Sequence, residues 1–150
     1  MSSEDGIRFV DVPGWPRPKG YANGVVTTGR TLYVAGQVGW NEQQVFAHGD
    51  FAGQFAQALD NVLAVVRAAG GEPESVVKMT IYVTDLAAYR GAQRAIGAAW
   101  RERFGRHFPV MALVGVAGLV EEGALLEIET IAALDDGGSA PKPPAHGSSG

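Results

Sequence analysis

The stretch VVKMTIYV, Val76 to Val83, decides the fold, because it is a strand with a helical period on each side of it. Its Val, Ile and Tyr residues favour a pleated backbone, and Lys78 and Thr80 alternate with Val77, Met79 and Ile81. Upstream, Asp50 can cap a helix whose apolar residues recur at Phe51, Phe55, Leu59, Val62, Leu63, Val66 and Ala69, before Gly70 and Gly71 end it. Downstream, Asp85 can cap a second helix. Leu86, Tyr89, Ala92, Ile96, Ala99 or Trp100, and Phe104 share one stripe of it, and Gly105 is its stop.

Further out, strands are expected at Val110 to Val116, after Pro109, and at Leu125 to Ala133, where Glu127 and Glu129 face the same way. On the other side, GVVTTGRTLYVAGQV places Val25 to Thr28 and Thr31 to Val38 around Gly29 and Arg30, the pattern of a hairpin whose turn needs positive φ. Ile7 to Val10 can add a first strand. The order β-β-β-α-β-α-β-β predicts an α+β fold, a mixed sheet with both helices brought to one face by right-handed crossovers. The opposite face is left bare and contains apolar residues, so self-association is expected from the architecture.

One domain over residues 1–134 accounts for this pattern. The following DDGGSAPKPPAHGSSG, Asp135 to Gly150, exchanges hydrophobic residues for Gly, Pro and Ser and reads as a disordered tail. Near the other end, DVPGWPRPKG surrounds Trp15 with three prolines and two glycines and reads as a loop. The 150 residues are 46% hydrophobic and 19% charged, enough for one real core.

A net charge of -4 provides no basic footprint, which argues against a nucleic-acid partner. The chain has no cysteine, which excludes a disulfide, a thiolate nucleophile or a Cys-ligated metal and suits a reducing compartment. The opening MSSEDGIRFV is acidic where a signal peptide is basic and then apolar, and no segment approaches the ~20 apolar residues of a membrane span. A cytoplasmic protein without membrane contact is expected.

Nucleophilic catalysis has little support, since no serine lies in a Gly-flanked elbow. His48, His107 and His146 have no ligand spacing, so no metal is expected, and His107 reads as a cation at the end of the second helix. No glycine-rich segment stands at a strand-to-helix turn, so no nucleotide cofactor is expected either. Glu127, a carboxylate in an apolar strand, is either on a solvent face or held for use, and the residues alone favour the first. Trp15, Tyr21 and Trp40 beside Gly-rich loops suit a pocket wall and a subunit seam alike.

Several of these segments, in this order, resemble the RidA/YjgF/UK114 family, small trimers of chorismate-mutase-like fold that include enamine and imine deaminases. GYANGVVTTGRTLYVAGQVGW is similar to the family's Gly-x-Tyr-Ser start and Ser-Gly-Gln strand end. FAGQFAQALDNVLAVVRAAGG resembles its first helix, VVKMTIYVTDL its central strand, and FPVMALVGVAGLV with LLEIETIAAL its last two strands. The resemblance covers about Pro13 to Leu134. It implies a homotrimer with a small-molecule cleft between subunits, lined by Tyr21 and Gly36, with Gln93 where the deaminases have Asn. It also makes Glu127 the proton-transfer group, reversing the reading from the residues alone.

The chain departs from the family pattern at four positions: Ala22 and Ala35 replace serines, Gln93 replaces Asn, and Met111 replaces the arginine that clamps the substrate carboxylate. Only a guanidinium supplies that bidentate geometry well, and losing one partner of a buried charge pair costs ~2 to 5 kcal/mol. Efficient deamination of 2-imino acids is therefore not expected unless Arg17 or Arg94 enters the cleft. Water activation does not need the clamp, and a thioether near Trp40 favours a more apolar ligand. The resemblance thus leaves two readings: an imine or enamine deaminase acting on another substrate, and a non-catalytic trimer that binds a small molecule or a protein. The ribonuclease activity attributed to some relatives fits the acidic composition and the lack of a His-based acid/base pair least.

Overall fold

A computed structural model describes residues 6–135. The expected tail lies, from residue 136 on, outside the described residues. The strands are β1 (Ile7–Phe9), β2 (Val25–Thr27), β3 (Arg30–Val38), β4 (Val76–Val83), β5 (Val110–Gly115) and β6 (Leu126–Leu134). The helices are α1 (Phe51–Ala68), α2 (Leu86–Gly91) and α3 (Gln93–Phe104). The main sheet has the order β3-β6-β4-β5, with β6 antiparallel to both neighbours and β4 parallel to β5. This is the mixed α+β sheet expected from the sequence.

Helix α1 begins where Asp50 Oδ2 accepts from the Gly53 N–H at 2.9 Å, and Gly70 leaves it at φ +91°, a conformation open to glycine. Its apolar stripe packs on β3 and β6 and on α3. Leu59, Val62, Val66, Val76, Met79, Leu126 and Ile128 are wholly excluded from water in the resulting core. Buried Gln54 ties α1 to the loops: its amide donates to the His48 and Gly123 carbonyls and its oxygen accepts from the Leu125 N–H at 2.8 Å. Arg103 of α3 meets Asp60 of α1 at 2.7 Å. Among the described residues the opposite face has no helix, and Tyr33 there keeps 74% of its surface exposed.

Three expectations are corrected. Gly29 has the expected positive φ of 94°, but β2 does not pair with β3; it pairs with β1, Ile7 opposite Thr27, while β3 takes β6 as its partner. The expected second helix is two helices, because Ala92 leaves the helical region (φ -111°, ψ 14°) directly after Gly91, a residue of low helix propensity. All the helices remain on one side of the sheet, the longer two in mutual contact. His107 does not cap α3 with its ring; its Nε2 lies 2.6 Å from the Val76 carbonyl of β4, and its backbone N–H donates to the Phe104 carbonyl.

Candidate functional site

The period of the strands divides the sequence-predicted site residues between the two faces of the sheet. Met111 stands opposite Met79 in the β5-β4 register and packs against the core from the helix side. Two residues along, Leu113 stands opposite Ile81 on the same side. Because β5 is an edge strand, a cavity of about 340 Å³ opens between it and α2-α3. Tyr21, Gln93 and Met111 all line it, with Ile81, Ile96 and Trp100 forming much of its apolar wall. The backbone N–H of Ala22 donates to the Pro109 carbonyl at 3.0 Å, which fastens the Tyr21 loop to the start of β5. A cavity of this size with few polar groups suits a small ligand of mixed character.

Glu127 lies on the other face. It stands opposite Tyr82 of β4 and Val38 of β3, and its side chain is half-buried with no hydrogen-bond partner among the described residues. Beside it, the β3-β6 register shifts between Val34 and Gln37, so Ala35 and Gly36 form a bulge. A Cβ added at Gly36 would overlap the Glu127 carboxylate, so only glycine leaves room for it in this orientation. Tyr82 donates to Glu129 Oε1 at 2.9 Å. That bond, followed by desolvation and by the charges of Glu129 and Glu127, raises the Tyr82 pKa above its ordinary 10.0.

Within one chain, then, Tyr21, Gln93 and Met111 come together, and Gly36 and Glu127 come together, but the two groups are separated by the thickness of the sheet. Trp40 joins neither. Its ring is 5.7 Å from that of Phe46, and its carbonyl accepts from Asn61 of α1 at 2.8 Å. Arg94, at the start of α3, lines neither the β5 cavity nor the larger one next to it. That larger cavity, about 730 Å³, lies under the Trp15 loop and is bounded by Arg17, Lys19 and Arg106. Sequence reading missed Lys19 and Arg106, because their shared wall comes from segments some ninety residues apart. Among the described residues, no group of three or more His, Cys, Asp or Glu side chains could hold a metal ion. Nor, among the described residues, is any helix long and apolar enough to cross a membrane.

The family model described as Endoribonuclease L-PSP matches residues 16–134. The chain belongs to the RidA/YjgF/UK114 family. A 2-iminobutanoate/2-iminopropanoate deaminase of Dermatophagoides farinae is 33% identical over 129 residues, 85% of this chain and 97% of the relative. The enzyme of the same name from Escherichia coli K12 is 35% identical over 115 residues, 75% of this chain and 85% of the relative. A crystal structure of a conserved Rid-family protein from Yersinia pestis superposes with a TM-score of 0.77 at 30% identity, covering 86% of this chain and 99% of that one.

In this member of the RidA/YjgF/UK114 family, the bulge at Ala35-Gly36 was readable in principle: a glycine inside an otherwise β-branched strand is the usual sign of one. The opposite facing of Met111 and Glu127 was readable too, once β4 was paired with both β5 and β6. Period-two alternation puts Met79 and Tyr82 on opposite faces, and their partners follow them.

Proposed function

We propose that the chain acts as a cytoplasmic homotrimer that hydrolyses an imine or enamine other than a small 2-imino acid, in a cleft shared by neighbouring copies. The observation that carries this reading is the Glu127 carboxylate, half-buried at the Gly36 bulge and without a hydrogen-bond partner among the described residues, in a chain similar to proteins named imine deaminases. The division of the site supports assembly. One copy offers an edge cavity with Tyr21 and Met111, and the uncovered face of another offers Glu127. Exposed Tyr33 and Val114 on that face give an apolar surface for the contact.

In the chemistry, Glu127 takes a proton from water as its oxygen adds to the C=N carbon. It returns that proton to the nitrogen to give a carbinolamine, then carries the carbinolamine hydroxyl proton to the same nitrogen as the C–N bond breaks, so that ammonia leaves and the carbonyl forms. Met111 offers neither charge nor donor, so the group it touches is apolar, and a carboxylate next to the reacting carbon has no clamp there.

The test is ammonia release from a panel of 2-imino acids and longer imines, including aminomuconate-type compounds. Glu127→Gln should lower the rate on an active compound by about 10² to 10⁴. Gly36→Ala, by displacing the carboxylate, should lower it in the same direction. Met111→Arg should gain 2-imino-acid deamination at least tenfold. No release of ammonia from any compound would sink the hydrolase and leave a ligand-binding trimer.

A further inference from the structure

We infer that the cavity under the Trp15 loop is an anion site for a ring-bearing organic acid, and, on the hydrolase reading above, that it holds the acid group of the substrate. The cavity, at about 730 Å³ the larger of the two, has three cations on its wall, Arg17, Lys19 and Arg106, against a single acid, Asp11. That excess of positive charge stands out in a chain of net charge -4. None of the three cations has an ion pair or side-chain hydrogen bond to another described residue. Their donors are free for a ligand, and two of them are guanidinium groups, which match the two oxygens of a carboxylate or phosphate.

The same cavity has rings to offer. Trp15 keeps 62% of its surface exposed and Tyr21 44%. Phe9 is held edge-on to the His107 ring at 5.8 Å, which fixes the wall opposite the loop. Aromatic faces beside cations recognise a planar apolar body that ends in an acid.

The location gives the inference its functional content. Lys19, Gly20, Tyr21 and Phe108 belong to the walls of both this cavity and the β5 cavity that contains Met111. A ligand can therefore lie across the Lys19-Tyr21 boundary, with its apolar middle at Met111 and its acid among Arg17, Lys19 and Arg106. The acid of such a molecule lies farther from the C=N carbon than in a 2-imino acid. Charge missing at Met111 is present one cavity away.

The experiment is a titration of the full chain with 3-phenylpropanoate, phenyl phosphate and the uncharged 3-phenylpropanamide, followed by tryptophan fluorescence, with Trp15→Phe assigning the signal. Either acid should bind at least tenfold more tightly than the amide at low salt, and the stronger of the two identifies the acid. The preference should shrink in 0.5 M NaCl. The double variant Arg17→Gln/Arg106→Gln, both exposed positions, should keep its melting temperature and lose the preference. Equal binding of acid and amide, or a preference that survives the double variant, overturns the inference. Acid preference without turnover of any imine defeats the hydrolase and leaves the anion site standing.

Discussion

On the covered face of the sheet, Met79, Leu126 and Ile128 are fully removed from water beneath α1, whereas on the other face Tyr33 remains 74% exposed and Glu127 only half-buried. The same strands supply both faces, and the alternation of β4 and β6 separates them residue by residue. The covered face is apolar and close-packed; among the described residues its buried polar side chains are Gln54, which makes three hydrogen bonds, and Thr130, whose hydroxyl has no partner there. The uncovered face carries Lys78, Thr80, Tyr82, Glu127 and Glu129 among its apolar residues. Stability is concentrated on the first face, and the groups able to do chemistry or meet a partner stand on the second and at the β5 edge.

The largest expected effect comes from the covered side. Leu59, wholly buried on α1, leaves a cavity when cut back to Ala, and Leu59→Ala should lower unfolding free energy by about 3 kcal/mol or more in urea denaturation. A loss under about 1 kcal/mol would mean that the helices do not carry the core. Next comes Tyr33→Glu on the uncovered side. It should change the unfolding of the isolated chain by less than about 0.5 kcal/mol while weakening self-association at least tenfold, read by sedimentation. An unchanged sedimentation profile would remove Tyr33 from any subunit contact.

The contrast also explains what could be read from the sequence. Helix α1 was legible with its cap at Asp50 and its stop at Gly70 because each signal is local and they agree. Strand β4 was legible to the residue for the same reason. Strand partners were not: nothing local in Val25 to Thr28 says that β1, rather than β3, will pair with it. The kink at Ala92 was masked by the surrounding alanines, whose apolar period continues across the break. For the candidate site, Glu127 and Met111 could be singled out by type and resemblance. Their separation by the sheet, and the gathering of Arg17, Lys19 and Arg106, depend on contacts between distant segments.

The smallest effect is a titration that reports the uncovered face directly. Tyr82 is held protonated by its bond to Glu129, and desolvation and the nearby carboxylates oppose its phenolate, so its pKa in the folded chain lies above the ordinary 10.0. A folded-state pKa above the unfolded one stabilises the fold below the unfolded pKa, and that contribution is lost as pH rises through the folded value. Absorbance at 295 nm should therefore show a tyrosine ionising late in the native protein. Glu129→Gln should bring that step back toward the ordinary range, and Tyr82→Phe should abolish it. Glu127→Gln should move it less, because Glu127 acts on Tyr82 through charge alone. If a partner copy covers this face, desolvation adds to the shift, and the late step moves higher as protein concentration rises. A concentration-independent step would leave Tyr82 facing water, and with it the part of the sheet opposite Glu127.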